Sequence, residues 1–326
     1  RMKKMREDFG IIVACCAHDY IFAQATCASI RYFMGDTPIC LLVDGYSPSA
    51  VRNMEKAYNV QVINRLNVSN DFLKKNSFGW GLTKMISFWE SPWTNFLYLD
   101  ADTIAWGDIF QEISTLFKDF DLVIDLPKSH NSDETISHFF FDIAAVEKYF
   151  PDFDWRKYRD YYFCTGTFFS RRNVFSLEEY KDMLYFMSQH PGVFKFGEMG
   201  LLNYMIFRSY QEGKIKLISK DIQWIMPDFS IEQEQKRFPI SKNGYISDSD
   251  VGEPTVLHWC GPKPYNSVTG VYLEPMDFFR QKFMEDAFGF KGLAAKAAIS
   301  YEELALNLYF KKKNLGNFFK NRKGTH

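Results

Sequence analysis

Phe96-Leu97-Tyr98-Leu99-Asp100-Ala101-Asp102 is a short apolar run, of strand length, that passes straight into two aspartates one residue apart. Open α/β sheets gather their ligands at the carboxyl ends of strands, so the carboxylates fall where a ligand is expected. Alternation along an extended chain puts Asp100 and Asp102 on one side. Two hard oxygen ligands converging there can hold Mg²⁺ or Mn²⁺ against a diphosphate. The same pair also arises in a solvated turn, and the surrounding chain has to decide between the two readings.

Upstream, Gly10 to Cys15 is a continuous apolar run, as a parallel strand covered on both faces requires. Helix-like Phe22 to Met34 follows, then a strand from Ile39 to Val43. Ser47 and Pro48 supply an N-cap and a first-turn proline for a helix to Tyr58, and Val60 to Ile63 is a third strand. The order is βαβαβ. Leu82 to Trp89 reads as a helix stopped near Pro92, which delivers the chain into the aspartate segment. Downstream, Asp121 to Ile124 and Tyr161 to Phe169 read as strands, Leu177 to Ser188 and Gly200 to Tyr210 as helices, and Val256 to Trp259 as a last strand. Residues 127–160, rich in Ser, Asp, His and aromatics without clear period, read as an insertion. With no repeat or low-complexity linker, the expectation is one α/β domain over 1–274 and a helical appendage over 275–326.

The composition, 46% hydrophobic and 24% charged, is that of a folded chain and excludes disordered and collagen-like classes. No stretch approaches the roughly 18 uninterrupted apolar residues of a membrane span. Arg1-Met2-Lys3-Lys4 is not followed by a signal-peptide apolar segment, and Arg1 in place of an initiator Met reads as the start of a processed or shortened chain. The net charge of −1 divides into +2 over 1–8, −8 over 9–274 and +5 over 275–326. An acidic body with basic ends argues against a nucleic-acid partner. Cys15, Cys16, Cys27, Cys40, Cys164 and Cys260 form no Cys-x-x-Cys pair and mostly lie in apolar runs, so buried free thiols in a reducing compartment are expected rather than disulfides or zinc.

The second informative segment is Val256-Leu257-His258-Trp259-Cys260-Gly261-Pro262-Lys263-Pro264-Tyr265. An imidazole at a strand end can complete an O,O,N metal site, a glycine lets backbone N–H groups approach a phosphate, and a lysine two residues on supplies a cation for it. Alone, His258 would read as a core histidine. Beside Gly261 and Lys263 it reads as a ligand.

Four blocks, in order, resemble the nucleotide-sugar transferases of glycosyltransferase family 8. They are Ile11 to Tyr20 with its helix; Thr83-Lys84-Met85 before Asp100-Ala101-Asp102; Gly197-Glu198-Met199-Gly200-Leu201-Leu202-Asn203; and His258 to Tyr265. The resemblance implies a GT-A fold with a Rossmann-like, mostly parallel sheet flanked by helices. It implies that Asp100, Asp102 and His258 bind a divalent metal, usually Mn²⁺, that bridges the donor's phosphates. Cys15, Ala17, Asp19 and Tyr20 would fall at the nucleotide, Ala101 beside the metal, and Gly261 and Lys263 at the diphosphate. Lys84 would contact the donor sugar or phosphates, and Glu198 would lie beside the anomeric carbon. The family retains anomeric configuration and mostly uses UDP-glucose or UDP-galactose.

The departures carry information too. Met199 stands where the family has Gln, and a thioether cannot serve as an amide nucleophile, which favours front-face transfer within an ion pair. Glu198 or a carboxylate such as Asp142 would stabilise the sugar cation. Ala17 replaces an acidic contact to the base, Cys164-Thr165-Gly166 stands where Asn-Ser-Gly is usual, and Gly261-Pro262-Lys263 is one residue short.

The expected function is transfer of a hexose from a UDP-sugar to a carbohydrate or lipid-linked glycan acceptor in bacterial surface polysaccharide or lipopolysaccharide synthesis. The alternatives are a non-catalytic nucleotide-sugar or glycan-binding module and an aspartate-nucleophile phosphohydrolase. The latter needs Thr or Val four residues after the first aspartate, where this chain has Ile104. In the appendage, Ser300 and Glu303 read as a capping box, and Tyr301, Leu304, Ala305, Leu308 and Tyr309 as an apolar stripe, either core packing or, with the basic aromatic tail over 311–323, a peripheral contact with anionic membrane at the cytoplasmic face.

Overall fold

The computed structural model describes residues 8–45, 49–79, 81–128, 131–241, 244–266 and 268–323, with the backbone alone at 310 and 312–323. Its strands are β1 (Phe9–Cys15), β2 (Ile39–Val43), β3 (Gln61–Ile63), β4 (Asn95–Asp100), β5 (Thr103–Trp106), β6 (Leu122–Asp125), β7 (Thr167–Arg171), β8 (Leu217–Lys220), β9 (Gln223–Ile225) and β10 (Thr255–His258). A seven-stranded sheet runs β3-β2-β1-β4-β7-β6-β8. Within it β7 alone is antiparallel, to both β4 and β6, and the other pairs are parallel. This is the mixed, mostly parallel α/β sheet expected. The apolar runs of β1 and β2 are buried almost throughout because helices cover both faces of the sheet.

The helix Tyr20–Met34 lies between the large sheet and the helix Glu274–Phe288, which explains why even its polar Gln24, Thr26 and Ser29 are buried. Thr26 is bonded from there to the β4–β5 turn: its Oγ1 donates toward the carbonyls of Ala101 and Thr103 at 2.7 and 2.8 Å. On the opposite face the core is aromatic. Phe168 stacks on Phe88 and on Tyr98, with ring centroids 5.3 and 4.8 Å apart. A second, three-stranded sheet, β5-β10-β9, stands at the end of β4.

Several expectations change. The run from Tyr161 to Phe169 is not one strand; extended pairing begins only at Thr167. Before it, the Asn203 side chain accepts from the Phe163 N–H and donates to its carbonyl at 3.1 and 3.0 Å, meeting the needs that a neighbouring strand would otherwise meet. Residues 127–160, read as an insertion without clear period, carry regular structure. They hold helices at Asp133–Phe139 and Ile143–Tyr149, and they bury Ile136, Phe141, Val146 and Trp155 in the aromatic core. Asp142, a candidate for stabilising the sugar cation, is the N-cap of the second of these helices and accepts from the Ala145 N–H at 2.8 Å. The helix expected after Ser47 and Pro48 is Val51–Tyr58, while the two capping residues lie outside the described part.

At the C-terminal end the helix Gly292–Lys323 starts well before Ser300, so Ser300 and Glu303 form no capping box. Glu303 is buried instead and accepts from the guanidinium of Arg280, itself 1% exposed. That contact, with Ala295, Ile299 and Leu306 buried, sets which face of the helix turns inward. Tyr301, Leu304, Ala305, Leu308 and Tyr309 fall on the outer face and are exposed, so the stripe is not core packing.

Candidate functional site

β4 ends at Asp100 and the chain reverses through Ala101 and Asp102 into β5, so a turn, not extended alternation, brings the two carboxylates together. The turn is held by Thr26 and by the Thr103 hydroxyl, which donates to the Asp100 carbonyl at 2.7 Å. β10 pairs antiparallel with β5, setting His258 opposite Thr103. The imidazole Nε2 thereby comes to 3.4 Å from Asp102 Oδ1 and 3.9 Å from Asp100 Oδ2. Gly166 makes room for the ring: a Cβ there would lie 2.2 Å from His258 Cε1.

The orientation of His258 is set by Gln223, at the start of β9. The amide nitrogen of Gln223 donates to the Cys164 carbonyl at 3.1 Å, so its oxygen faces the ring and accepts from Nδ1–H at 2.8 Å. Nε2 is left pointing at the carboxylates. Two carboxylates and this nitrogen are a donor set that fits Mn²⁺ or Mg²⁺. With no ion bound, burial opposes a charge on His258, but Asp102, then Cys260 and Asp100, outweigh it and raise its pKa above the usual histidine value. Burial likewise works to raise Asp102, yet His258 and Lys263 hold it well below the carboxylate range. Removal of Gln223 by Gln223→Leu is expected to weaken Mn²⁺ binding about 10–100-fold without unfolding the chain, as loss of a histidine's outer partner does elsewhere; the signal of free Mn²⁺ in electron paramagnetic resonance measures it.

Beside the carboxylates is a cleft of about 220 Å³ whose walls include Cys15, Asp19, Lys84, Ala101, Glu198 and Lys263. Lys263 pairs with Asp102. Lys84 is buried, and its ammonium lies 2.5 Å from Glu198 Oε1, 2.8 Å from the Thr165 carbonyl and 3.4 Å from Asp100 Oδ1. Burial disfavours that charge, but Asp100 and Glu198 more than offset it and hold Lys84 above the usual lysine range. Asp19 accepts from the Cys16 N–H at 2.6 Å, and burial raises it to about 7. Gly261, at φ +100°, has open space where a side chain would project. Ala17 is exposed, and Tyr20 is half-buried, packed against the core on the side of Glu302 and Arg280, so neither is among the cleft's walls.

Motif reading alone did not find Gln223, Gly81 or Asp44. A Cβ at Gly81, whose φ is +79°, would lie 1.8 Å from Glu198 Oε2, so this glycine lets the carboxylate sit where it does. Asp44, just past β2, accepts from Gly79 N–H and the Thr83 hydroxyl at 2.8 and 2.9 Å and anchors the segment that carries Lys84. Its place after a strand was the one available signal. All six cysteines are free thiols; Cys15, Cys27 and Cys40 are buried as expected, whereas Cys16, Cys164 and Cys260 are only half-buried, the last two beside His258.

A mostly parallel seven-stranded sheet flanked by helices, with a smaller sheet at the end of β4, is a GT-A fold. In that fold the chain resembles glycosyltransferase family 8. The galactosyltransferase LgtC, solved with donor and acceptor sugar analogs, matches with a TM-score of 0.52 at 15% identity, over 87% of this chain and 97% of that one. An active-site mutant of LgtC matches at 0.51, with the same identity and coverage. The bifunctional glycosyltransferase WbbM, in its apo form, matches at 0.52 and 10% identity over 84% of this chain and 49% of its own, so this chain spans about half of WbbM. No protein-family model and no curated protein sequence matches the chain.

Proposed function

We propose that the chain is a metal-dependent, retaining glycosyltransferase that moves a hexose, glucose or galactose, from a UDP-sugar to a glycan acceptor in bacterial surface polysaccharide or lipopolysaccharide synthesis. The observation that carries this reading is the convergence of Asp100, Asp102 and His258 Nε2 beside the cleft that holds Lys84, Glu198 and Lys263. A Mn²⁺ or Mg²⁺ ion held there supplies positive charge against the departing diphosphate. Lys263, with the open backbone at Gly261, binds the same phosphates. Glu198 sets a negative charge where the sugar ring becomes cationic, and the buried Lys84 pairs with that carboxylate and holds it in place. Met199 offers no nucleophile, so the acceptor hydroxyl attacks from the leaving-group face and passes its proton to a phosphate oxygen.

A second cavity of about 240 Å³ adjoins the site across Cys164 and Met199, with Lys128, Phe139 and Phe229 among its walls. Its aromatic lining, part of it from the 127–160 segment, suits a sugar ring and is where we place the acceptor. Among the described residues no helix is long and apolar enough to cross a membrane. The exposed face of Tyr301, Leu304, Leu308 and Tyr309, followed in sequence by six basic residues within 311–323, supports a cytoplasmic enzyme working against an anionic membrane surface.

The test is to offer a panel of nucleotide sugars with Mn²⁺ and follow the anomeric proton by NMR. The expected result is metal-dependent turnover of a UDP-hexose with an α-linked first product. Donor binding without turnover would favour the binding-module alternative, and a β product would overturn retention. The GT-A fold leaves the phosphohydrolase reading without support.

A further inference from the structure

We propose that Cys164, Cys260 and His258 form a second metal site, of Cys₂His type, which takes Zn²⁺ or another thiophilic divalent ion and draws on the imidazole that the carboxylate site also uses. The three side chains come from separate places: the loop before β7, the residue pair after β10, and the last residue of β10. Their ligand atoms all lie within 4.8 Å of one another. Cys164 Sγ is 3.4 Å from Cys260 Sγ and 3.7 Å from His258 Nδ1. With metal–sulfur bonds of about 2.3 Å and metal–nitrogen bonds of about 2.0 Å, tetrahedral ligand atoms stand about 3.5–3.8 Å apart, close to both separations.

The site also has an entrance. Cys164, Cys260 and Gln223 line the second cavity, so an ion can arrive without opening the core and a water can complete its coordination from that side. Thiolates and imidazole select a softer ion than the two aspartates do, so the two sites differ in the metal they prefer.

The ring links them. A neutral imidazole has one lone pair. A hard ion at Nε2 requires the proton on Nδ1, where Gln223 accepts it. A soft ion at Nδ1 requires Gln223 to let go and the proton to sit on Nε2, facing Asp102. Binding there expels the two thiol protons to solvent. Occupancy is then exclusive, and this clause alone rests on the metal-dependent reading of the carboxylate site.

The test uses the full chain, kept reduced with a phosphine and titrated with Co²⁺ as a coloured stand-in for Zn²⁺. The expected result is a sulfur-to-cobalt charge-transfer band that saturates at one equivalent and is abolished by one equivalent of Zn²⁺. Cys164→Ser or Cys260→Ser should weaken binding at least about tenfold, as loss of a supporting metal contact does, and the double variant should lose the band, with circular dichroism melts confirming that each folds. No band in the unaltered chain, or an undiminished band in the double variant, would overturn the site. In the competition arm Zn²⁺ also competes directly for the carboxylate site, so the Zn²⁺ needed to displace Mn²⁺ should be at least about tenfold lower for the unaltered chain than for the double variant; equal displacement curves would overturn the shared imidazole. A cobalt band with no Mn²⁺ binding at all would leave the thiolate site standing and remove the metal-dependent transferase reading instead.

Discussion

Asp102→Asn is expected to abolish donor turnover, by about 10³-fold or more, while leaving the fold intact. Charge stabilisation by a catalytic metal is worth several kcal/mol, and each ~1.4 kcal/mol is a factor of ten in rate. Asn keeps the shape and one acceptor oxygen of a residue that is only 4% exposed, but removes the charge that faces both His258 and Lys263. Chelation of the unaltered chain should reproduce the loss, and added Mn²⁺ should reverse it there but not in the variant. Metal binding should also tighten as pH rises. The proton favoured on His258 by Asp102 and Asp100 competes with the ion for Nε2, and because the histidine pKa is raised this competition persists above the usual histidine range. Full turnover by Asp102→Asn in excess chelator would end the metal-dependent account.

The second large effect is on stability. Lys84→Met replaces a fully desolvated ammonium with an apolar chain of similar length and leaves Glu198, itself 7% exposed, without its cation. Breaking a buried pair from one side costs about 3–5 kcal/mol, because the remaining charge is stranded. The Thr165 hydroxyl, 3.0 Å from Glu198 Oε1, is a partial replacement, so the lower end of that range is expected. Adding Glu198→Gln to Lys84→Met removes the stranded charge and should recover most of the loss. Urea denaturation measures both. A single variant within about 1 kcal/mol of the unaltered chain would show that the pair is solvated and that Glu198 is not held by Lys84.

The pair explains a division of labour among the basic residues. Lys263 is half-exposed at the cleft mouth and is free to exchange Asp102 for a phosphate, whereas Lys84 is enclosed by Glu198, Thr165 and Asp100. Both were read as donor contacts from their places in motifs. Burial separates them: in the proposed reading the half-exposed Lys263 binds the donor and the enclosed Lys84 organises the site.

What the sequence determined by itself is whatever one stretch of chain decides alone. The apolar runs at 10–15, 39–43 and 96–99 became β1, β2 and β4 because an all-apolar extended segment has stable burial only inside a sheet covered on both faces. The aspartates after β4, the helix around Glu198 and the His258 turn were legible for the same reason, since their spacing lies within a few residues. Tertiary structure decided what depends on which distant segments meet. The turn that joins Asp100 to Asp102 is held by Thr26 from a distant helix, and the pairing of β10 with β5, more than a hundred residues earlier, brings His258 to the carboxylates. Gln223 carries no local signature, because its role exists only once β9 lies against β10. Cys164 and Cys260, read as separate thiols 96 residues apart, become neighbours only in the folded chain. The last helix makes the point most plainly: its periodicity offered Tyr301, Leu304 and Leu308 as an inner face, but Arg280 reaching Glu303 turned that face to solvent. Period fixes which residues share a side of a helix, and only a partner fixes which side is buried.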